Sequence, residues 1–276
     1  MYYPTLAEIE KIKENKEYKY APVSMEILSD FITTIEAVRI LKKASTHVYL
    51  LESAKANENW GRYTFLGFEP TLSINCIDGK MNVSGEEFTC GSPSSYLRDL
   101  LKEYKSPRIQ GLPPFTGGLV GYFSFDYINY KEPSIKKAID DSEGFKDVDV
   151  MLFKDVIVFD HVKQKIILIT NISLDEDIYI GYEKAKERLV KIKNLLYAGE
   201  KSNESGELLS EVTPLFSESE FSQMIKKAKH HIKEGDIFQI VLSNRLQADF
   251  SGSLFDTYRV LRTVNPSPYM FYFSGT

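Results

Sequence analysis

Thr71-Leu72-Ser73-Ile74-Asn75-Cys76-Ile77-Asp78-Gly79-Lys80-Met81-Asn82-Val83 decides the fold class of this chain. Thr71–Cys76 reads as a strand, and Asp78-Gly79 is a two-residue hairpin turn leading into a second strand at Lys80–Val83. Tyr63–Phe68, just before it, is a further strand rich in aromatic and apolar residues. Working outward, Thr5 with Glu8 forms a capping box ahead of Ile9 and Ile12, so residues 5–15 read as an opening helix. A second helix covers about 33–43, with Ile35, Val38, Ile40 and Leu41 turned inward, and feeds the strand His47–Glu52. Ser95 caps a helix through Tyr96, Leu97, Leu100 and Leu101.

The charged stretch Lys131 to Asp149 reads as an exposed loop with some helix. Asp155–Phe159 and Lys165–Thr170 form a hairpin around His161, Val162 and Lys163, and a helix from Ile178 to Tyr197 closes this region. The expected organisation is a first domain over residues 1–197, a linker at 198–214, and a second domain starting at 215 and running to 276. The linker assignment rests on Ala198-Gly199-Glu200-Lys201-Ser202-Asn203-Glu204-Ser205-Gly206, which is polar and has little to bury. After it, Ser217 and Glu220 make another capping box before Phe221, Met224, Ile225, Ala228 and Ile232, and Gly235 is a natural helix stop. A strand at Ile237–Leu242, a helix capped by Ser253 with Asp256, a turn at Pro266–Pro268 and a strand Tyr269–Phe273 complete the reading. Antiparallel strands with interspersed helices make the fold class α+β.

The 276 residues are 43% hydrophobic and 26% charged, an ordinary globular composition, and the net charge of -5 argues against nucleic acid or an anionic membrane as partner. Cys76 and Cys90 are too few for a disulfide framework. His47, His161, His230 and His231 fall in three separate places, and adjacent His230 and His231 point to different faces of a helix, so no metal cluster is visible. The N-terminus lacks an apolar signal core and no apolar run approaches a membrane span, so the cytoplasm is the expected compartment.

Three segments carry chemistry. Leu50-Leu51-Glu52-Ser53 is an apolar strand closing on a carboxylate and a hydroxyl, which could meet a ligand ammonium; alternatively, Glu52 simply emerges into solvent where the strand ends. Asn265-Pro266-Ser267-Pro268-Tyr269-Met270-Phe271-Tyr272 fixes its backbone with two prolines and then offers a flat ring and a polarizable thioether, groups that can wall an indole; a plain core strand is the competing reading. Gly117-Gly118-Leu119-Val120-Gly121-Tyr122-Phe123-Ser124-Phe125-Asp126 places glycines inside an apolar strand, where they imply close approach of another backbone or side chain. A phosphate cradle is disfavoured there, because no lysine or helix cap follows at the needed spacing.

In this order, and joined by Gly61-Arg62-Tyr63-Thr64-Phe65-Leu66-Gly67 and Gly235-Asp236-Ile237-Phe238-Gln239-Ile240-Val241-Leu242-Ser243, these segments resemble the anthranilate synthase component I family of chorismate-utilising enzymes. The resemblance runs through most of the chain. It implies mainly antiparallel sheets packed as a sandwich with helices outside, incomplete at the C-terminus. It implies chorismate as substrate, ammonia from a glutamine amidotransferase subunit (component II), Mg²⁺ as cofactor with ligands beyond residue 276, and feedback inhibition by L-tryptophan. The effector residues carried over are Ser53, Pro268, Tyr269 and Met270, with Glu52 as a neighbour. Gln239 takes the place of a lysine that activates water in related isochorismate-forming enzymes. A glutamine amide cannot accept a proton at neutral pH, which suits enzymes using ammonia as nucleophile. Two alternatives stand beside this reading: aminodeoxychorismate synthase component I, of the folate branch, and a non-catalytic tryptophan-binding or subunit-docking module.

The residues that hold Mg²⁺ and most groups around chorismate are expected outside the 276 residues, and Asp236, Asp249 and Asp256 read as caps and solvated turns. Purified residues 1–276 are therefore expected to release no anthranilate from chorismate, Mg²⁺ and ammonium, as followed by anthranilate fluorescence. Measurable turnover would overturn that expectation.

Overall fold

The computed structural model describes residues 1–53, 61–132, 134–135 and 144–275. In chain order its first part runs β1 (Tyr2–Tyr3), α1 (Leu6–Glu14), β2 (Tyr20–Leu28), α2 (Thr34–Ala44), β3 (Val48–Glu52), β4 (Tyr63–Phe68), β5 (Leu72–Ile77), β6 (Lys80–Val83) and β7 (Glu86–Thr89). It continues with α3 (Pro93–Glu103), β8 (Gly118–Phe123), a 3₁₀ turn at Phe125–Tyr130, β9 (Val148–Phe153), β10 (Asp155–Asp160), β11 (Lys165–Ser173) and α4 (Ile178–Ala198). The remainder is β12 (Gly206–Leu208), β13 (Thr213–Pro214), α5 (Glu218–Glu234), β14 (Leu246–Gln247), β15 (Phe250–Gly252), α6 (Phe255–Val264) and β16 (Met270–Phe273). The chain divides into two compact units, Met1–Asn203 with Leu261–Thr276, and Glu204–Val260.

The larger unit holds two antiparallel sheets, a seven-stranded one in the order β1-β2-β11-β10-β4-β3-β16 and a five-stranded one in the order β7-β6-β5-β9-β8. Strand alternation gives the seven-stranded sheet two apolar faces. On one, α4 lies against β11 and β2, and α2 against β3 and β4. On the other, Tyr49 with Leu51, Phe65 and Phe273 meets Val120, Met151 and Phe153 of the second sheet. The Tyr49 and Phe153 rings meet edge to face at 4.7 Å. The far side of the five-stranded sheet packs Ile74, Cys76, Met81, Val148 and Val150 under Leu97 of α3. The smaller unit contains α5 and two short ribbons, β12 with β15 and β13 with β14.

Local signals act as the sequence leads one to expect. The capping boxes at Thr5/Glu8 and Ser217/Glu220 both form, and Gly235 closes α5 in the left-handed conformation. Asp78 and Gly79 both take positive φ, the geometry of the tight hairpin turn. A Cβ at Gly121 would collide with the Asp149 carbonyl oxygen, so the close approach expected of the glycine-rich strand is real.

Other expectations are corrected. Val148 and Asp149, read as the end of an exposed loop, begin the strand Val148–Phe153, whose six residues are all buried, and this uninterrupted burial removes the alternation that marks a strand. Of the expected loop, residues 133 and 136–143 lie outside the described residues. Helix α3 begins at Pro93, so Ser95 sits within its first turn instead of capping it. Ile35 is only half-buried on α2, whose inward face is Thr34, Ala37, Val38, Ile40 and Leu41. Ile237–Leu242 is not a strand: Phe238 is fully exposed and Val241 largely so. An apolar run becomes a strand only beside another that completes its ladder, and none of the described strands lies beside this one.

Tyr49 is fully buried, and its hydroxyl has no hydrogen-bond partner among the described residues. Burial alone drives its pKa upward. A Cβ on Gly67, the neighbour of Tyr49 across the β3–β4 ladder, would enter the Tyr49 ring. Tyr49→Phe is therefore expected to raise stability by about 1 kcal/mol by removing an unsatisfied buried group. Gly67→Ala is expected to lower it by roughly 1–3 kcal/mol through overpacking. Urea titration of both variants checks the opposite signs.

Candidate functional site

The two segments singled out in the sequence, 215 residues apart, are neighbouring strands of one sheet. β16 pairs antiparallel with β3 in the register Met270 opposite Glu52, Phe271 opposite Leu51, Tyr272 opposite Leu50 and Phe273 opposite Tyr49. Just past the ladder, the Ser53 hydroxyl donates to the Pro268 carbonyl at 2.7 Å, closing the two strand ends together. Residues directly opposite in an antiparallel pair share a face. Glu52 and Met270 thus occupy the helix-covered face with Leu50 and Tyr272, whose hydroxyl accepts from Lys42 Nζ of α2 at 3.1 Å. By the same alternation Tyr269 belongs to the opposite face with Phe271, and both rings are largely exposed.

Glu52 does not emerge into solvent. It is 8% exposed, and its Oε2 accepts from Arg262 Nη2 in the last turn of α6 at 2.7 Å. Beside it on the next strand, Thr64 is buried and its hydroxyl lies 2.7 Å from His161 Nε2. Partial desolvation of the His161 ring depresses its pKa, with Glu52 and Asp160 opposing the shift and Arg262 reinforcing it. One residue earlier, buried Asp160 is held by Arg62 through Nε at 3.1 Å and Nη2 at 2.7 Å, and takes the Val162 and Lys163 amides. Burial pushes the Asp160 carboxyl up, but Arg62 and these amides outweigh it and leave it below the usual carboxylate range.

Arg262, Thr64 and His161 were not singled out in the sequence. Only the Gly61–Gly67 landmark signalled Thr64, and the other two had no local pattern. The structure brings Glu52, Ser53, Pro268, Tyr269 and Met270 to one corner of the sheet. Gln239 lies in an exposed irregular segment of the smaller unit, not on a strand. Among the described residues, no group of three or more His, Cys, Asp or Glu side chains could hold a metal ion. No described helix is long and apolar enough to cross a membrane.

Comparison with known proteins agrees with this architecture. The sequence pattern of chorismate binding enzymes matches residues 46–276. The chain belongs to the chorismate binding enzyme family. Within the family, it is 34% identical to anthranilate synthase component 1 of Acetivibrio thermocellus, over 99% of the chain and 57% of that protein. It is also 34% identical to the component 1 of Aquifex aeolicus, over 97% of the chain and 55% of that protein. The chain thus spans about half the length of the curated relatives it matches. The crystal structure of anthranilate synthase component I from Streptococcus pneumoniae superposes with a TM-score of 0.60 at 26% identity, over 87% of this chain and 53% of that one. The menaquinone-specific isochorismate synthase of Escherichia coli shares the fold at a TM-score of 0.51 and 12% identity, over 97% of this chain and 51% of that one.

The corner of the sheet carries a pH signature. A histidine whose folded pKa is depressed binds its proton more readily when unfolded, so its contribution is complete above the unfolded value, about 6.5. That contribution is lost as pH falls from there toward the lower folded value. Stability is expected to decline between about pH 7 and pH 5, and His161→Gln is expected to flatten this slope. Urea midpoints at half-unit pH steps test it, and an unchanged slope in the variant would exclude His161 as the source.

Proposed function

We propose that the chain is part of an anthranilate synthase large subunit and carries the wall that responds to L-tryptophan. The observation that supports this most directly is the pairing of Met270 with Glu52, sealed by the Ser53–Pro268 hydrogen bond, in a chain 34% identical to component 1. In the proposed activity ammonia adds at C2 of chorismate and water leaves, after which loss of pyruvate gives anthranilate. The ammonia comes from glutamine through component II, an amidotransferase subunit. Gln239, unable to act as a base toward water, is compatible with an ammonia nucleophile. Mg²⁺ would anchor a substrate carboxylate when bound. No carboxylate set among the described residues fits it, and it has no part in the steps assigned to these residues.

The effector chemistry follows from the corner of the sheet. An amino-acid ammonium meets the Glu52 carboxylate and the Ser53 hydroxyl, and an indole lies along Pro268, Tyr269 and Met270. Arg262 already donates to Glu52, so an incoming ammonium either shares that carboxylate or displaces the guanidinium. Ligand binding and the position of α6's last turn are then coupled through one carboxylate. Differential affinity of this kind is what allows an effector to favour one arrangement over another.

In the enzyme extended to the length of its relatives, Ser53→Phe is expected to relieve tryptophan inhibition while chorismate turnover persists. Glu52→Gln removes a charge-assisted bond of about 1.5–3 kcal/mol, so the half-inhibitory tryptophan concentration is expected to rise roughly tenfold to a hundredfold. Inhibition curves on both variants decide the matter. Unchanged inhibition in Ser53→Phe removes Ser53 from the site, and unchanged inhibition in both abandons the effector reading.

A further inference from the structure

A cavity of about 520 Å³ lies within the larger unit, away from the β3–β16 corner, under the loop 105–117 between α3 and β8. That volume falls in the range of small-molecule sites, roughly 300–1,000 Å³. Its lining contains Lys105, Arg108 and Lys154 and no aspartate or glutamate, although the chain as a whole carries net charge -5. Lys105 is paired with Glu17. Lys154 is held differently: its Nζ sits 4.8 Å from the Tyr20 ring centre and 5.6 Å from that of Tyr104, and donates to the Tyr20 hydroxyl at 3.3 Å. Among the described residues neither Lys154 nor Arg108 has a carboxylate partner. Phe115 and the two prolines before it are among the apolar residues of the same lining.

The loop is built to keep the cavity open. Asn171 of β11 donates to the Thr116 carbonyl at 2.6 Å and to the Lys154 carbonyl at 2.9 Å, tying loop and cation to one anchor. Tyr3 donates to the Gln110 carbonyl at 2.8 Å, and the Lys19 and Tyr20 amides donate to the Lys105 carbonyl. Pro107, Pro113 and Pro114 remove further backbone freedom. A site fixed in this way binds without first spending ordering entropy.

We propose that this cavity binds a small ring-bearing monocarboxylate, with the carboxylate on Lys154 and Arg108 and the ring against Phe115. An aromatic ring and a carboxylate on one small molecule match a lining that combines apolar residues with cations lacking a carboxylate partner among the described residues. Helix α3 ends at the cavity with Leu101 and Tyr104, and its carbonyl end opposes any anion, a dianion more than a monocarboxylate, so the attraction must come from Lys154 and Arg108. The proposal does not depend on the effector reading above, since its residues are separate.

Isothermal titration of the 276-residue chain with benzoate, benzyl alcohol and inorganic phosphate tests it. One equivalent of benzoate is expected to bind, with benzyl alcohol and phosphate each at least about tenfold weaker, the scale of a lost charge-assisted bond. Lys154→Met is expected to weaken benzoate about tenfold or more, and Arg108→Gln, on an exposed side chain, by a smaller factor with unchanged far-ultraviolet dichroism. Lack of benzoate binding at 10 mM (a ceiling of about 3 kcal/mol), equal binding of benzyl alcohol or phosphate, or indifference to both substitutions would each overturn the proposal.

Discussion

Strand β3 is hydrogen-bonded along both edges and covered on both faces, and the larger unit is organised around that constraint. β4 and β16 complete its ladders. Tyr49 points toward the second sheet and packs on Phe153, while Val48 and Leu50 point toward the helices. A shift of one residue would exchange these two sets of side chains, placing a tyrosine against α2 and a leucine against the Phe153 ring. Gly67 tightens the lock, since only a residue without Cβ leaves room for the Tyr49 ring across the ladder. Once β3 is fixed in this register, Glu52 and Ser53 have only one place to be.

Two carboxylates near this end of the sheet are buried, and each is compensated by an arginine, though the arginines come from very different distances. Asp160 is met by Arg62, which directly precedes the neighbouring strand β4. Glu52 is met by Arg262, 210 residues away. Burying a charge costs several kcal/mol unless it is paired with good geometry, and removing one partner is far more damaging than never having had the pair. Asp160 is thus met by a residue just ahead of the neighbouring strand, while the arginine that meets Glu52 comes from the far end of the chain. The corner of the sheet where the proposed effector residues meet therefore depends on long-range assembly.

This difference explains what the sequence could disclose. Capping boxes, the Asp78-Gly79 turn and the hairpin Asp155–Asp160 with Lys165–Ser173 rest on short-range chemistry, and they are legible residue by residue. β9 was missed because a strand buried on both faces has no alternation, and Asp149 within it made the segment look like part of a charged loop. Ile237–Leu242 erred the other way: its composition suits a strand, but strand formation is decided by neighbours that composition does not reveal. In the candidate site, Glu52, Ser53, Pro268, Tyr269 and Met270 were found through the order of motifs. Arg262, Thr64 and His161 were not, because their meeting with Glu52 is set by register and tertiary packing, and neither leaves a mark in local sequence.

The register also constrains any ligand. Glu52 and Met270 face the helices, whereas Ser53 and Tyr269 fall on the other side by alternation. A ligand lying flat on either face would reach only one of these pairs. To touch both it must sit beyond the tip of β3, where the ladder has ended and the Ser53–Pro268 hydrogen bond holds the two chain segments together. On the proposed effector reading, that position would suit a molecule with a polar end for Glu52 and a planar body reaching Tyr269, as tryptophan has. Specificity for a large aromatic amino acid would then come from the alternation of two strands, with Glu52 supplying the charge that any amino acid could use.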